Sequence, residues 1–300
     1  MEKTITALRE REIPFAEGVS AERLTTFGSG GRVRCVISPR SVKELRFALK
    51  VLSDRRVPSR VIGGGSNVLL PDQGYNGALL SLACFDLLQA RGCEVSVGSG
   101  VKMPLFAARM AQTGLCGAEF LCGIPGVMGG GVITNAGAFG GMLSDLLTEV
   151  TFLSAEGEVV RLPASCLTFG YHSAVLPRGA TVLSMKMRLA QGDSVSIKAR
   201  MREMMNKRLS SQPHERSAGS VFRKTGNTPA AIYIEQTGLK GKRIGGALLS
   251  AKHCNFIVNE GSATTQEYYA LAELVRERVA ALCGVRLDYE VERICSPTKS

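Results

Sequence analysis

Apolar and polar positions alternate along the chain in a way that predicts helices and strands following one another. Residues 41–56 show helical spacing and open with Ser-Val-Lys-Glu, a capping-box sequence. A second helix is predicted over 104–113, because proline stands near its first turn and Gly114 is placed to end it. Two longer helices are predicted over 194–209 and 264–282.

Short strands are predicted between these helices. Residues 57–62 and 68–70 flank a turn of sequence Gly-Gly-Gly-Ser-Asn, and the stretch 148–189 is rich in alternating, β-branched segments. Residues 285–294 are predicted to form a strand whose apolar side chains share one face. Its carboxylates, Glu290 among them, therefore share the other face.

Glycine is the feature of the composition that changes this picture. It accounts for 34 of the 300 residues, against a usual share of about 7%. The uncharged stretch 120–144 has the length of a membrane span, but seven glycines between residues 124 and 143 would each cost a helix about 1 kcal/mol. We therefore predict tight loops lining a cavity there, and no membrane partner. The N-terminal sequence MEKTITALREREIPF has no apolar core of a secretory signal.

Charge and cysteine content narrow the class of protein further. The nine cysteines are scattered without a Cys-x-x-Cys pair, which favours neither a disulfide framework nor a metal site and fits the reducing cytoplasm. The net charge of +11 is spread along the chain. It indicates a solvated basic surface or the steering of an anionic ligand such as a phosphorylated substrate. No nucleic-acid-binding motif accompanies it, so no nucleic-acid partner is expected.

Two glycine-rich segments are the candidate ligand-binding features. Neither has the G-x-G-x-x-G spacing between strand and helix that marks a Rossmann fold, nor the P-loop sequence. Residues 63–67 favour a nest of backbone N–H groups around an anion such as a pyrophosphate, although a plain tight turn fits the same residues. Together with residues 123–141, they could wrap a dinucleotide that carries a large flat ring.

The motifs of the chain resemble those of the UDP-N-acetylenolpyruvoylglucosamine reductases. They are TTFGSGG (25–31), GGGSNVLLPDQGYNG (63–77), GAEFLCGIPGVMGGGVITNAGAFGG (117–141), SAGSVF (217–222), GLKGKRIGGALLSAKHCNFIVN (238–259) and LDYEV (287–291). The resemblance covers nearly the whole chain, in the family's order, and is closer to the shorter of its two types.

This resemblance implies an α+β protein with two domains. An FAD-binding domain of the vanillyl-alcohol-oxidase (PCMH) type would occupy residues 1–192, with subdomains of about 1–75 and 76–192. A C-terminal α+β substrate-binding domain would occupy residues 193–300. The implied reaction uses NADPH to reduce the enolpyruvyl ether of a UDP-sugar to UDP-N-acetylmuramate, a peptidoglycan precursor. A cytoplasmic monomer acting on this small-molecule substrate is expected.

The resemblance also assigns roles to individual residues. Ser220 is the proton donor, Glu290 assists protonation or orients the enol, and His172 stands at the position of the family's arginine. The residues expected to bind the cofactor are Gly63, Gly64, Gly65, Ser66, Asn67, Gly123, Ile124, Pro125, Gly126, Gly130, Thr134, Asn135 and Gly137. Those expected to bind the substrate are Tyr171, Arg223, Lys224 and Asn255. From the residues alone, Ser220 could equally be a loop serine and Glu290 part of a solvated strand face.

Three departures from the family pattern leave other interpretations open. His172 replaces a permanent guanidinium with a side chain that is only partly charged near neutral pH. Ser211 replaces a lysine, and the usual Phe-Lys-Asn-Pro reads Phe-Arg-Lys-Thr from residue 222. Arg178 or Arg208 could supply the missing charge. A flavin oxidase of the same fold, or a non-catalytic basic nucleotide-binding protein, are the alternatives.

Overall fold

The computed structural model describes residues 1–295, and its backbone contacts divide the chain into two units that interleave along the sequence. The first unit comprises Met1–Ala16, Val36–Gly64 and Ala78–Arg208. The second comprises Glu17–Cys35, Gly65–Gly77 and the chain from Leu209 onward.

Seven α-helices occur in the described residues. They are α1 (Glu2–Glu10), α2 (Val42–Asp54), α3 (Met103–Gln112), α4 (Met128–Thr134), α5 (Ser194–Ser211), α6 (Ala230–Glu235) and α7 (Thr265–Cys283). Short 3₁₀ turns are formed by Ala21–Arg23, Glu119–Gly123, Leu143–Asp145 and Ala164–Cys166.

The first unit is built on an antiparallel sheet of five strands, in the order Val159–Pro163 (β12), Leu147–Leu153 (β11), Thr181–Arg188 (β15), Glu94–Gly98 (β7) and Leu88–Arg91 (β6). The strands of this unit are β3 (Ser59–Ile62), β5 (Tyr75–Ser81, from residue 78), β6 (Leu88–Arg91), β7 (Glu94–Gly98), β8 (Leu115–Cys116), β9 (Gly137–Ala138), β10 (Gly141–Met142), β11 (Leu147–Leu153), β12 (Val159–Pro163), β13 (Thr168–Gly170), β14 (Ser173–Val175), β15 (Thr181–Arg188) and β16 (Ala190–Gln191). Phe106 of α3, Val132 of α4 and Phe152 of β11 belong to one buried apolar cluster. This core fixes α4 against the sheet.

The parallel pair β3 and β5 leads into the triple glycine. Ser59 is paired with Ala78, and Ile62 with Ser81. The strand β3 therefore ends directly before Gly63, so a rigid element sets the position of the turn.

The second unit has its own sheet and its own core. Its strands are β1 (Phe15–Ser20), β2 (Arg32–Ile37), β4 (Val68–Leu69), β17 (Arg216–Ser220), β18 (Arg243–Ile244), β19 (Ala247–Leu249), β20 (Phe256–Asn259) and β21 (Glu292–Arg293). Only residues 17–20 of β1 and residues 32–35 of β2 belong to this unit. The sheet order is β17-β20-β19-β18, and β21 pairs in parallel with β4. The α7 helix is capped by Thr264 and ends at Gly284, whose φ is +66°. Its residues Tyr268, Leu271 and Val275 are buried in the core of this unit.

The four predicted helices are confirmed, at Val42–Asp54, Met103–Gln112, Ser194–Ser211 and Thr265–Cys283. Two other expectations were wrong. The glycine-rich stretch 120–144 is not made of loops alone, since Met128–Thr134 forms a helix packed on the apolar core. Residues 285–294 keep the expected alternation of burial but are paired only at Tyr289 and over Glu292–Arg293. An alternating pattern reports which side is buried and does not report whether a neighbouring strand is present.

Among the helices of residues 1–295, none combines the length and apolar character needed to cross a bilayer.

Candidate active site

The two glycine-rich segments line one cavity in the first unit. Its volume is about 110 Å³. Gly63 comes from the turn after β3, and Gly129, Gly130 and Ile133 come from α4. The rest of the wall is supplied by Val61, Ile62, Ser81, Leu82, Ala83, Ser99, Gly100, Val127, Ala180, Thr181 and Val182. Largely apolar walls with a few polar groups are typical of cofactor sites.

Close backbone approach explains why this region is rich in glycine. A Cβ atom on Gly64 would lie 2.7 Å from the Cα of Gly126, and one on Gly63 would lie 3.0 Å from Cγ2 of Val127. The two segments therefore touch through their backbones. Gly130 is different, because a Cβ there would meet no atom of the described residues within 4 Å and would project into open space.

The third glycine of the turn serves the packing of the second unit. Gly65 has a φ of +65°, and a Cβ atom on it would lie 2.7 Å from the Cα of Thr25. The next residues are held in the same unit, because the Asn67 side-chain amide donates a hydrogen bond to the Glu290 carbonyl (3.1 Å). Packing of the chain on itself therefore requires at least two of the three glycines.

The cavity of the first unit suits part of an FAD molecule. Its wall includes Ser99, whose hydroxyl is buried and has no hydrogen-bond partner within residues 1–295. An orphaned buried hydroxyl costs about 1–3 kcal/mol unless a ligand or water satisfies it. The open face of α4 at Gly130 and the apolar side chains of Leu82 and Val182 suit a flat ring.

A half-buried arginine stands beside the first glycine of the second segment. A Cβ on Gly123 would lie 2.8 Å from Cδ of Arg208. The guanidinium makes no hydrogen bond or ion pair within residues 1–295, and burial lowers the pKa of Arg208. An arginine without a carboxylate partner is suited to an anionic ligand. From the sequence, Arg208 is predicted only as one possible source of the charge that is missing at residue 172.

Tyr171 and His172 form the tip of the β13–β14 hairpin. Gly170 is paired with Ser173, so these two residues make a two-residue turn. Their rings are stacked at 4.2 Å with 7° between the planes. His172 has a φ of +49°, and Tyr171 is 49% exposed.

Other residues predicted to bind the cofactor make contacts within the protein. The Thr134 hydroxyl donates to the Gly130 carbonyl at 3.1 Å. Gly137 lies in β9, where a Cβ would meet the Gly141 carbonyl oxygen at 2.8 Å. Gly126 has a φ of +118°, and Ile124 and Pro125 precede it. Their assignment to the flavin remains a prediction.

In the second unit, Ser220 ends β17 next to a bulge in its pairing with β20. Gly219, which precedes it, has a φ of +79°. A Cβ atom on Gly219 would lie 3.8 Å from its nearest neighbour, so glycine is required here by the backbone conformation and not by close packing. The Val221 N–H donates to the Asn255 carbonyl at 2.8 Å. Ser220 is therefore held at the end of a rigid strand.

Glu290 is anchored by the backbone that follows Ser220. Its N–H donates to the Val221 carbonyl at 2.9 Å, and its carbonyl accepts from the Asn67 amide. Arg223 Nε donates to the Tyr289 carbonyl at 3.2 Å. The structure thus brings Ser220, Glu290, Asn67 and Arg223 into one hydrogen-bonded region of the second unit.

Asn255 contributes to this region as a clamp on the backbone. Its side-chain oxygen accepts from the Phe222 N–H at 3.0 Å, and its side-chain nitrogen donates to the Phe222 carbonyl at 2.9 Å. The residue is buried. Lys224 lies two residues further along and is half-buried.

Comparison with known proteins agrees with this description. Residues 33–163 match the family described as FAD binding domain. This match places the protein among the FAD-binding proteins. Residues 212–294 match UDP-N-acetylenolpyruvoylglucosamine reductase, C-terminal domain.

The relatives and a solved structure extend over almost the whole chain. A UDP-N-acetylenolpyruvoylglucosamine reductase of Prochlorococcus marinus is 35% identical over 94% of this chain and 98% of its own length. A reductase of the same name from Granulibacter bethesdensis is 36% identical over 97% of this chain and 94% of its own length. The crystal structure of that reductase from Thermus caldophilus aligns with a TM-score of 0.80 and 31% identity, over 95% of this chain and 99% of that chain.

The chain belongs to the UDP-N-acetylenolpyruvoylglucosamine reductase family. This confirms the resemblance, the α+β fold with its FAD-binding domain, and FAD and NADPH as cofactors.

Proposed function

We propose that this protein uses NADPH to reduce the enolpyruvyl ether of UDP-N-acetylglucosamine to UDP-N-acetylmuramate. The observation that carries the proposal is the hydrogen-bonded region around Ser220 and Glu290, which lies within the residues that match the reductase C-terminal domain. We further propose that the protein acts as a monomer in the cytoplasm, where its nine free cysteines suit a reducing environment.

The glycine-lined cavity of the first unit would hold the flavin. The turn at Gly63 and Gly64, the open face of α4 at Gly130 and the hydroxyl of Ser99 are the groups available there. Bound FAD supplies a hydride to one carbon of the enolpyruvyl group. The protein itself must supply a proton to the neighbouring carbon and stabilise the charge that develops between the two events.

Ser220 is the proposed proton donor. Its hydroxyl is a weak acid, so it can protonate only a strongly basic carbanion, and its position must be well defined. Its position is fixed by three features, which are the end of β17, the φ of Gly219 and the Val221–Asn255 hydrogen bond. Glu290, whose backbone is tied to Val221, would orient the enol carboxylate or Ser220 itself.

Positive charge for the enolate and the substrate phosphates would come from several side chains. Arg223 and Lys224 follow Ser220 closely, and Arg223 is fixed through its bond to the Tyr289 carbonyl. Position 172, where the family carries arginine, holds His172 on a strained turn. Arg208, half-buried without a carboxylate partner in the described chain, is a further candidate.

The test separates the two halves of the reaction in the variant Ser220→Ala. Reduction of the bound flavin by NADPH should continue at nearly the wild-type rate, because no substrate carbon is protonated in that half-reaction. Reoxidation by the enolpyruvyl substrate should slow by about 10²–10⁴-fold, the usual contribution of a positioned general acid. Anaerobic stopped-flow absorbance measures both steps.

Ser217→Ala is the matched control, since Ser217 lies in the same strand and its partner Thr26 bonds to its carbonyl rather than its side chain. It should leave both half-reactions unchanged. Equal losses of both half-reactions in Ser220→Ala would mean that Ser220 is structural, and the proposed role would be abandoned.

A further inference from the structure

Asn135 uses its whole side-chain amide inside the first unit. The residue is 2% exposed and lies at the C-terminal end of α4. Its Oδ1 accepts a hydrogen bond from the Ser144 N–H at 2.9 Å, and its Nδ2 donates to the Gly170 carbonyl at 2.9 Å. Both ends of the amide are therefore satisfied by the backbone.

The Gly170 carbonyl belongs to the residue pair that closes the hairpin turn. Gly170 pairs with Ser173, and only Tyr171 and His172 lie between them. A hydrogen bond to this carbonyl consequently fixes the base of the turn. On its other side, Asn135 continues directly from α4, the helix that presents Gly130 to the cavity.

We infer that Asn135 is a positioning residue that holds the Tyr171–His172 turn in place, and not a ligand of the flavin. Its effect on catalysis rests on the proposed function of that turn, whereas its effect on the turn's geometry does not. The amide acts through Gly170 and so links the turn to the end of α4, the helix whose residues line the cavity.

The backbone conformation explains why asparagine stands here. Asn135 has φ +42° and ψ 57°, the left-handed region that asparagine and glycine tolerate best. An asparagine amide both donates and accepts, whereas an aspartate carboxylate only accepts. Asn135→Asp would keep the bond from Ser144 and place an oxygen against the Gly170 carbonyl. Asn135→Gly would keep the conformation and lose both bonds.

The first measurement follows the geometry of the turn by nuclear magnetic resonance. The chain has three histidines, His172, His214 and His253, so the C2–H signal of each can be assigned by substitution. In the wild type, the stacked Tyr171 ring should shield the His172 signal. In Asn135→Gly and Asn135→Asp, that signal should broaden or move to the unshielded position. Ser144→Ala keeps the backbone donor and should leave it unchanged.

The second measurement is made on the same variants, loaded with FAD. Flavin affinity, titrated by fluorescence on the FAD-free protein, should stay within about threefold of wild type. The substrate half-reaction should slow by about 10–100-fold, since displacements near 1 Å can cost that much, with less change in KM than in kcat.

An unchanged His172 signal in Asn135→Gly would overturn the inference. A tenfold or greater loss of flavin affinity with that signal unchanged would instead make Asn135 a flavin ligand. If the signal moves while the substrate half-reaction keeps its rate, Asn135 positions the turn and the proposed catalytic role of the turn fails. Should Asn135→Asp not fold, Asn135→Gly alone decides, because glycine tolerates the conformation.

Discussion

His172 occupies a backbone conformation that restricts which side chains can stand there. Its φ of +49° lies in the left-handed region, where histidine is found more often than most residues. Arginine, which the resemblance of the sequence leads us to expect at this position, would have to adopt the same φ in a two-residue turn. The substitution in this chain therefore agrees with the local geometry as well as retaining a group that can carry positive charge.

The charge carried at this position can be tested through the pH dependence of activity. Histidine side chains exchange a proton between pH 5 and 8, whereas arginine stays charged. If a cation at residue 172 stabilises the enolate, wild-type kcat should fall toward alkaline pH. His172→Arg should flatten the fall while retaining flavin. The measurement is kcat against pH at saturating substrate.

Two results would count against this role of His172. One is a wild-type profile without an alkaline fall, and the other is an equal fall in both proteins. Arg208→Ala is the companion variant, because its guanidinium is the alternative source of charge beside Gly123.

The side-chain amides show a limit of sequence interpretation at this scale. Asn135 and Asn255 stand in motifs that favour ligand binding, yet both amides are bonded to backbone groups at both ends. The sequence identifies a residue that can donate and accept hydrogen bonds. Its partner can lie tens of residues away along the chain, so only the folded structure shows which group it is. Ser99 illustrates the converse, since no sequence motif indicates that its hydroxyl lies at the cavity without a hydrogen-bond partner in the described part of the chain.

At the scale of elements, the glycines around the cavity are of two kinds. Some are required by close packing, whereas Gly130 of α4 faces open space. Gly130→Ala should leave the FAD-free protein as stable as wild type or slightly more so, because alanine favours a helix by up to about 1 kcal/mol. The added methyl group would enter the cavity, so the dissociation constant for FAD should rise by about tenfold or more.

Gly64→Ala provides the contrast. Its Cβ would press on the Gly126 backbone at 2.7 Å, so the melting temperature of the FAD-free protein should fall as well. Differential scanning calorimetry and fluorescence titration measure the two effects. Unchanged flavin affinity in Gly130→Ala would mean that the flavin does not occupy this cavity.

The α5 helix is attached to the first unit by an ion pair. Arg200 lies 2.6 Å from Glu119, whose carboxylate also accepts from the Gly117 N–H at 2.6 Å. Burial raises the pKa of Glu119, but the hydrogen bonds from Arg200 and from backbone N–H groups outweigh it, and the pKa is lowered. A lowered pKa in the folded state stabilises the protein above the unfolded pKa, and this stabilisation is lost as pH falls through the folded value.

Glu119→Gln should therefore reduce the free energy of unfolding at pH 7 by about 1 kcal/mol, a modest value because Arg200 is half exposed. The difference from wild type should shrink at acid pH, because the wild-type carboxyl takes up a proton as pH falls through its folded-state pKa. Urea unfolding of the FAD-free protein at both pH values measures it. Glu203→Gln, which removes an exposed pair with Lys207 in the same helix, should have no measurable effect. A loss of stability that is equal at both pH values would exclude the ion pair as its cause.

The elements also differ in how far sequence could predict them. The caps and spacing of α2 and α3 were sufficient, since Ser41 accepts the expected hydrogen bond and Gly114 adopts a positive φ. The α4 helix was missed because its three glycines argue against a helix, and burial of Met128 and Val132 in the core outweighs that preference.

At the scale of the whole molecule, FAD should be held without a covalent bond. Within residues 1–295, the lining of the cavity contains no histidine or cysteine to which a flavin could be attached. Heat or acid should release yellow flavin into the supernatant. Flavin that stays with the precipitated chain would contradict this prediction. Because a ligand that binds only the folded state stabilises it, at 100 times its dissociation constant FAD should add about 2.7 kcal/mol.

The family could be predicted from the sequence alone because its motifs extend from residue 25 to residue 291 in order. The interleaving of the two units could not, since no change of composition marks the points where the chain passes from one unit to the other. Such boundaries are set by contacts between distant segments, which a linear pattern does not record.

One such contact bears on how the protein is made. Phe27 lies in the core of the second unit, its carbonyl accepts from Asn259 at 2.9 Å, and its ring meets Tyr268 edge-on at 5.0 Å. Asn259 is 232 residues further along the chain. At synthesis rates of about 5–20 residues per second, Phe27 leaves the ribosome roughly 10–50 s before this partner exists. This apolar segment of the nascent chain must stay available, without aggregating, until the 232 residues up to Asn259 have been added.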